Sequence, residues 1–272
     1  MSVVFERFDS PAAFVAACSD RPVNSVFAGR SRSSRERGGA DWSGADSWKE
    51  AVTIAEAGYT DVVDRVRVSA SRATSAAFDR VEARPARPVN GYVGGSPNVV
   101  RAMQGLPRDM RRTVREPRKL QGVTLVYERG VLAGVSADRM IEAGARMVAL
   151  VRLFERAQIP VRLIVTMAST AGGETAVCEV VIKDYATPVN LAKIAYYVAH
   201  PSAHRRLKFS WLESTSVITS RRFSQGYGAS VSADRSMCET LRKHYESEGA
   251  RWLCINDLKR DDDVVRVWEA MA

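Results

Sequence analysis

The pattern of hydrophobic and polar positions changes near Leu120. Beyond that point the chain contains short, continuous apolar runs rich in β-branched residues. Such runs are typical of strands that are buried on both faces of a parallel sheet. The predicted strands are Val123–Val126, Val161–Met167, Val177–Ile182 and Trp252–Ile255.

Between these runs, apolar residues recur at helical spacing. The longest stripe begins just after Ser136, which can cap a helix N-terminus, and Asp138 lies in the first turn. Alternation of strands with helices predicts an α/β fold, an open and mostly parallel sheet with helices on both faces. Further helices are predicted at Val189–Ala199, Ser202–Glu213, Ala233–Glu248 and Val264–Met271.

The first 119 residues have a different composition and a different pattern of apolar positions. The segment Gly29–Gly39 is rich in Ser, Arg and Gly without periodicity, which is typical of a mobile linker. Ser47 and Glu50 form a capping-box pattern, so we predict a helix there that continues past Gly58, and Asn98–Gln104 predicts a short helix before a basic loop. The predicted parts are a flexible N-terminal segment (1–39), a mainly helical region with a basic loop (40–119) and an α/β domain (120–272).

Composition narrows the class of protein. The 272 residues are 46% hydrophobic and 26% charged, which is ordinary for a folded globular protein. No apolar run approaches the ~20 residues that a membrane-spanning helix needs, and charges at Glu6, Arg7 and Asp9 disfavour a signal peptide. The four cysteines show no CxxC pairing, which indicates free thiols. We therefore expect a soluble protein of the cytoplasm, without a membrane partner.

Two groups of basic residues are candidates for binding nucleic acid or another anionic partner. The net charge is +9, and its excess is mostly arginine, which suits phosphate. The first group is Arg101, Arg108, Arg111, Arg112, Arg115, Arg118 and Lys119. The second is Arg205, Arg206 and Lys208, followed by Arg221 and Arg222 and interleaved with Phe209, Trp211, Phe223 and Tyr227. Aromatic rings among basic residues can stack on exposed bases, but the alternative, which we favour for Phe209 and Trp211, is that they are core residues with the arginines at a solvated rim.

Two resemblances add to this interpretation. The element order from Leu120 to Ala272 resembles a von Willebrand factor A-like domain, whose first strand leads into a metal-binding Asp-x-Ser-x-Ser run. Here the corresponding residues are Tyr127-Glu128-Arg129-Gly130-Val131, so the resemblance implies a degenerate metal site, and we predict neither metal nor cofactor. Several short segments carry a second resemblance: Trp42-Ser43-Gly44, Ser47-Trp48-Lys49-Glu50-Ala51, Tyr227-Gly228, and His200-Pro201 followed by Arg205-Arg206-Leu207-Lys208-Phe209. Through them the whole chain is similar to uncharacterised proteins of actinobacterial phages and their hosts.

Three carboxylates that follow predicted strands raise the possibility of a nuclease. Glu128, Asp184 and Asp257 would gather if all their strands were parallel, because ligands collect at the carboxyl ends of strands. The resemblance implies an antiparallel third strand, which puts Asp184 at the opposite end of the sheet and leaves two loop carboxylates.

The histidines offer a weaker metal hypothesis. His200 and His204 are four residues apart, but Pro201 lies between them and no Glu or Cys completes a ligand set nearby. We therefore favour a structural role for the two histidines.

The acidic run Asp261–Asp263 suits the N-terminus of the last helix better than it suits a metal.

The leading hypothesis is a non-enzymatic binding or scaffold protein of a phage or its bacterial host, which engages nucleic acid or a protein partner through basic surfaces. The alternative is a metal-dependent hydrolase that acts on nucleic acid, with Glu128, Asp257 and His204 as its candidate residues. The alternative requires those side chains to converge.

Overall fold

A computed structural model of the chain describes residues 2–27, 34–36, 39–61, 63, 68, 87–114 and 122–271. The chain forms two compact units. The larger unit comprises residues 1–74 and 122–272, and the smaller unit comprises residues 75–121. The division differs from the expected three parts, because the N-terminal residues belong to the same unit as the α/β sheet.

The elements are numbered along the chain. The strands are β1 (Ser2–Phe8), β2 (Arg87–Gly91), β3 (Ser96–Pro97), β4 (Met110–Val114), β5 (Val123–Glu128), β6 (Val161–Ala171), β7 (Glu174–Lys183), β8 (Ala229–Ser230) and β9 (Ala250–Cys254). The α-helices are α1 (Pro11–Asp20), α2 (Ala40–Ser43), α3 (Trp48–Ala57), α4 (Val99–Met103), α5 (Ala137–Arg156), α6 (Leu191–Ala199), α7 (Phe209–Ser214), α8 (Phe223–Gly226), α9 (Arg235–Ser247) and α10 (Asp261–Glu269). A π-helix spans Ala203–Lys208, and 3-10 turns lie at Ser25–Phe27 and Val231–Ala233. No helix in the described ranges is long and apolar enough to cross a membrane.

The larger unit is built on one sheet with the strand order β1-β7-β6-β5-β9, and β8 pairs with β6. Strand β5 is parallel to both β6 and β9. Strand β7 is antiparallel to β6 through a turn at Gly172 and Gly173, which both have positive φ. The predicted fold class, an open and mostly parallel α/β sheet, is confirmed.

Helices cover both faces of this sheet. Helix α9 packs Met237 and Leu241 against Val126 and Ile164 in one buried cluster. Because side chains alternate along a strand, the buried Leu125, which precedes Val126, faces the other side. There α5 packs on α6, and these two helices contact β6 and β7 respectively.

Two predicted helix starts in the larger unit agree with the structure, and one predicted helix end does not. The Ser136 hydroxyl caps α5 by accepting a hydrogen bond from the backbone N–H of Arg139 at 3.3 Å. The Asp263 carboxylate accepts hydrogen bonds from the backbone N–H groups of Lys259 and Arg260. Helix α3 ends at Ala57, earlier than predicted, because Gly58 adopts a φ of +98° that a helix cannot continue through.

The N-terminal residues need a correction. Residues 2–8 form β1, which pairs in parallel with β7 at the edge of the sheet, so they are not part of a flexible segment. Phe14 in α1 and Phe27 are buried. Within the expected linker, the backbone N–H of Ser34 donates to the buried carboxylate of Glu213 at 2.9 Å. Residues 29–33, 37 and 38 of that linker lie outside the described residues.

The smaller unit contains an antiparallel sheet with the strand order β2-β4-β3. Its one described helix, α4, is capped by Asn98, as the sequence predicts. The prediction of a basic loop is wrong for residues 110–114, because they form β4, which pairs with β2 through five residues. None of residues 88–112, whose burial the structure describes, is a buried hydrophobic residue, and Val99, Val100 and Met103 of α4 are exposed.

Candidate functional site

The first predicted basic group lies in the smaller unit. Arg108, Arg111 and Arg112 are exposed. The Arg101 guanidinium instead donates a hydrogen bond to the backbone carbonyl of Pro107 at 3.0 Å. Arg115, Arg118 and Lys119 lie outside the described residues.

Two of these arginines converge on a surface depression of about 400 Å³, below called the basic depression. The Arg108 guanidinium carbon lies 5.6 Å from the ring centroid of Tyr92, whose side chain is 72% exposed. Arg112 sits opposite Val89 in the β2–β4 register. The lining residues are Val89, Asn90, Gly91, Tyr92, Val93, Arg108 and Arg112. Tyr92 was not among the predicted site residues, although its place in the Gly-rich run 91–95 between two basic stretches was a usable signal.

Charge is concentrated in the smaller unit. Residues 75–121 contain ten Lys or Arg and four Asp or Glu, a net charge of +6 out of the chain's +9. The remaining residues of the chain carry only +3. The excess positive charge is therefore a property of this unit and not of the chain in general.

The second predicted basic group does not form an exposed surface. Arg205, Arg206 and Lys208 are 5%, 1% and 1% exposed. Arg205 donates to the backbone carbonyls of Trp42 at 2.5 Å and Val135 at 2.7 Å. These three residues are held in the interior because the π-helix that carries them is packed inside the fold.

The aromatic residues of the second group divide between core and half-buried positions. Trp211 and Phe223 are fully buried. Phe209 and Tyr227 are partly exposed, and their rings stack with centroids 4.3 Å apart and an interplanar angle of 10°. Trp42 stacks on Phe209 at 6.1 Å. Arg221 and Arg222 are exposed.

A second concave site, below called the inner cavity, lies beyond the carboxyl end of β5. It measures about 200 Å³ and lies between the loop after β5, the π-helix and the segment from α8 to β8. Polar and aromatic side chains share its lining. Its residues are Trp42, Val131, Leu132, Ala133, Ser169, His204, Arg205, Lys208, Phe209, Gly226, Tyr227, Gly228, Ala229 and Ser230.

The charge on Lys208 is partly offset by Glu128. The Glu128 carboxylate is fully buried and accepts hydrogen bonds from the Gly130 N–H at 2.6 Å, the Thr166 hydroxyl at 2.8 Å and the Ala168 N–H at 3.1 Å. Burial raises the pKa of Glu128, and Lys208 opposes that rise. Burial lowers the pKa of Lys208 to about 8, which Glu128 in turn opposes.

The residues of the hydrolase alternative are not gathered into a metal site. The Asp257 carboxylate contacts the Arg242 guanidinium at 3.3 Å and accepts from the Cys254 N–H at 2.8 Å, partners different from those of Glu128. Within the described ranges, no group of three or more His, Cys, Asp or Glu side chains could hold a metal ion. The antiparallel direction of β7 places Asp184 at the other end of the sheet, as the sequence argument expected.

The two neighbouring histidines have separate surroundings. His200 Nδ1 hydrogen-bonds the Ser202 hydroxyl at 2.8 Å, and burial lowers the pKa of His200 to about 4. Burial and the nearby Lys208 hold the pKa of His204 well below its ordinary value. The cysteines Cys18, Cys178, Cys238 and Cys254 are free thiols, of which Cys238 is the least buried.

Comparison with known proteins gives one match. Residues 2–267 match a family described as a domain of unknown function (DUF7192). No curated protein matches the chain, and neither does any solved structure. The family match spans both units and therefore covers both the basic depression and the inner cavity.

Proposed function

We propose that this chain, which belongs to the DUF7192 family, is a non-enzymatic protein that binds single-stranded nucleic acid through the basic depression of its smaller unit. The observation that carries the proposal is the Arg108 guanidinium packed over the exposed Tyr92 ring, with Arg112 in the same depression. The proposal includes a bacterial cytoplasm, in a phage-infected cell or the host itself, as the site of action. The mostly parallel sheet of the larger unit supports a role for it as a von Willebrand factor A-like scaffold.

Phosphate and base would be recognised by different side chains. Arginine presents a planar fork of donors that matches phosphate oxygens, and this recognition does not depend on sequence. An exposed tyrosine ring can stack on any base, at ~1–3 kcal/mol per base, but only where the base is not already paired. The combination of Arg108, Arg112 and Tyr92 therefore favours a single strand over a duplex.

The arginines can be tested by salt dependence. The triple variant Arg108→Ala, Arg111→Ala and Arg112→Ala should bind an oligonucleotide of mixed sequence more weakly at every salt concentration. Each phosphate contact to a single strand contributes a slope of roughly −0.7 in log affinity against log salt, so losing three contacts should flatten the slope by about 2. Fluorescence anisotropy between low and moderate salt measures both quantities.

A matched control removes equal charge from the larger unit. Arg235, Lys243 and Arg251 are exposed, and the ion pairs of Arg235 and Arg251 are surface pairs that contribute little to stability. Their replacement by alanine should leave the salt slope nearly unchanged. Equal losses in the two triple variants would mean that net charge, and not the basic depression, attracts the nucleic acid.

The tyrosine is tested separately. Tyr92→Ala should lower affinity for a single strand about 5- to 150-fold, the equivalent of one stacked base, without changing the salt slope. Tyr92→Phe should retain binding, because the ring is kept. Tighter binding to duplex than to single strand would contradict the proposal. An absence of binding to any nucleic acid at low salt would instead favour an acidic protein partner.

A further inference from the structure

The inner cavity is independent of the basic depression, because every residue that lines it belongs to the larger unit. It opens beyond the carboxyl end of β5, whose neighbours β6 and β9 lie on either side of it. In open α/β sheets, this is the position where ligands bind. Its lining contains Lys208 and Arg205 but, among the described residues, no acidic side chain.

Several polar groups of the inner cavity lack the partners that buried groups normally have. The Lys208 ammonium group has three N–H donors, and its one hydrogen bond within the described chain goes to the Ala168 carbonyl at 2.9 Å. His204 Nδ1 is buried and has no hydrogen-bond partner among the described residues. The hydroxyl of the buried Ser169 makes no hydrogen bond to any described residue either. The unused donors of Lys208 and the unbonded hydroxyl of Ser169 face the cavity that they line, where they are available to hydrogen-bond a ligand.

One wall of the cavity is aromatic and held in a fixed shape. Phe209 and Tyr227 form the close ring stack. Tyr227 adopts a φ of +61°, which is uncommon for a residue with a bulky side chain, and its hydroxyl donates to the Glu213 carboxylate at 2.5 Å. A side chain at Gly228 would collide with the Thr170 carbonyl, so this segment lies directly against β6. The wall is therefore formed before a ligand arrives.

The buried carboxylate beside the cavity does not repel an anion strongly. Glu128 directs both oxygens into hydrogen bonds with Gly130, Thr166 and Ala168. Lys208 balances its charge, and Arg205 adds a further positive charge to the lining. The local field therefore favours an anion of single charge.

The size of the cavity limits the ligand. At about 200 Å³ it is somewhat larger than the ~150 Å³ apolar cavity that accommodates benzene, and smaller than the ~300 Å³ lower limit of drug-sized pockets. We infer that the inner cavity binds a small planar organic carboxylate of about the size of benzoate. Its carboxylate accepts hydrogen bonds from Lys208 and Ser169, and its ring packs against Phe209 and Tyr227.

Benzoate, benzamide and inorganic phosphate are the probes for the full chain. Benzoate at ~10 mM should raise the melting temperature by about 3 °C, because a ligand that binds only the folded state stabilises it by mass action. Benzamide has the same shape without charge and should have at least a tenfold weaker effect. An equal effect of benzamide would show an apolar cavity and overturn the anion site, and a response to phosphate alone would overturn the planar ligand.

Two variants locate the site. Lys208→Met should abolish the response to benzoate, but it also leaves Glu128 without its counter-charge. Ser169→Val fills part of the cavity and removes the hydroxyl while it keeps the Lys208–Glu128 pair, and it should weaken benzoate binding at least tenfold. Arg235→Ala, at an exposed position, serves as the control and should respond like the natural chain. Undiminished binding in Ser169→Val, or no binding of benzoate to the natural chain, would refute the site.

The outcome does not depend on the nucleic-acid proposal. The triple variant of Arg108, Arg111 and Arg112 should keep its response to benzoate, and Ser169→Val should keep its affinity for oligonucleotide. Loss of benzoate binding in the arginine variant would place the anion site in the smaller unit and contradict the inference.

Discussion

Lys208 is a basic residue whose environment disfavours its charged form. Burial lowers the pKa of Lys208 to about 8, and the charge of Arg129 lowers it as well. Glu128 and Cys178 partly oppose this by raising the pKa. In the unfolded chain the same amine titrates near its ordinary value of 10.5. The difference between the two pKa values makes the stability of the fold depend on pH.

The sign of this dependence follows from proton counting. Between pH 8 and 10.5 the unfolded lysine holds a proton that the folded lysine has lost, so the free energy of unfolding from this group rises with pH. The rise amounts to ~3 kcal/mol at most, at about 1.4 kcal/mol per unit of pKa difference. Urea denaturation at pH 7.5 and 10.5 should show it as a difference between the natural chain and the uncharged double variant Lys208→Met with Glu128→Gln.

A control at an exposed lysine separates this effect from general charge. Lys243→Met should show the same pH dependence of stability as the natural chain, because the Lys243 side chain is exposed in the folded state. If the double variant showed the same pH dependence of unfolding as the natural chain, the pKa of Lys208 would be the same in the folded and unfolded states, which would contradict this prediction.

At the scale of elements, β1 and the π-helix show most clearly what the sequence could and could not predict. Strands β5, β6 and β9 were predictable because most of their residues are buried and their apolar runs are continuous, although β9 lies at an edge of the sheet. β1 was missed because it is an edge strand with Glu6 and Arg7 inside it, and its partner strand lies far along the chain.

The π-helix could not be read from the sequence for a different reason. The segment following Pro201 has the composition of an ordinary helix, and only packing decides that its turn is wider. That wider turn and its burial bring His204, Arg205 and Lys208 to the lining of the inner cavity. The sequence therefore identified the basic residues but not their location. Ser169 left a faint signal, since it follows the apolar run of β6.

Deletion of residues 1–9 tests the role of β1. The Glu6 carboxylate accepts hydrogen bonds from the Trp211 indole N–H at 2.7 Å and the Thr215 hydroxyl at 2.5 Å. Deletion removes these bonds and exposes the edge of β7, and an unpaired edge promotes aggregation. We expect the shortened chain to lose cooperative thermal unfolding by circular dichroism and to elute as aggregate in size-exclusion chromatography.

Glu6→Gln is the milder comparison for this deletion. It preserves the strand and weakens only the charge-assisted hydrogen bonds, which are worth ~1.5–3 kcal/mol each when fully formed. We therefore expect a folded monomer with a lower melting temperature. A monomeric deletion variant with an unchanged melting temperature would return residues 1–9 to the flexible segment that the sequence suggested.

At the scale of the whole molecule, the two proposed sites belong to separate compact units. All strands of the larger sheet lie outside residues 75–121, which contain the basic depression and most of the net charge. Each unit thus contributes its own chemistry, arginine and tyrosine at an exposed surface in one and a buried lysine in the other.

Replacement of residues 75–121 by a flexible Gly-Ser linker tests this separation. The remaining chain should unfold cooperatively, respond to benzoate and lose measurable affinity for single-stranded nucleic acid. A replacement variant that still binds the oligonucleotide with the original salt slope would assign nucleic-acid binding to the larger unit. A chain that no longer folds would show that the smaller unit is required for the stability of the sheet.

The pairing of β1 with β7 has a consequence for synthesis on the ribosome. About 165 residues separate the end of β1 from the start of its partner, and at ~5–20 residues per second their translation takes roughly 10–30 s. During that time the first strand has left the exit tunnel while the edge that it will join does not yet exist. Stalled nascent chains in which β7 is still inside the exit tunnel should therefore differ sharply from longer stalled chains, in which β7 has left the tunnel, in the protection of their first residues from protease.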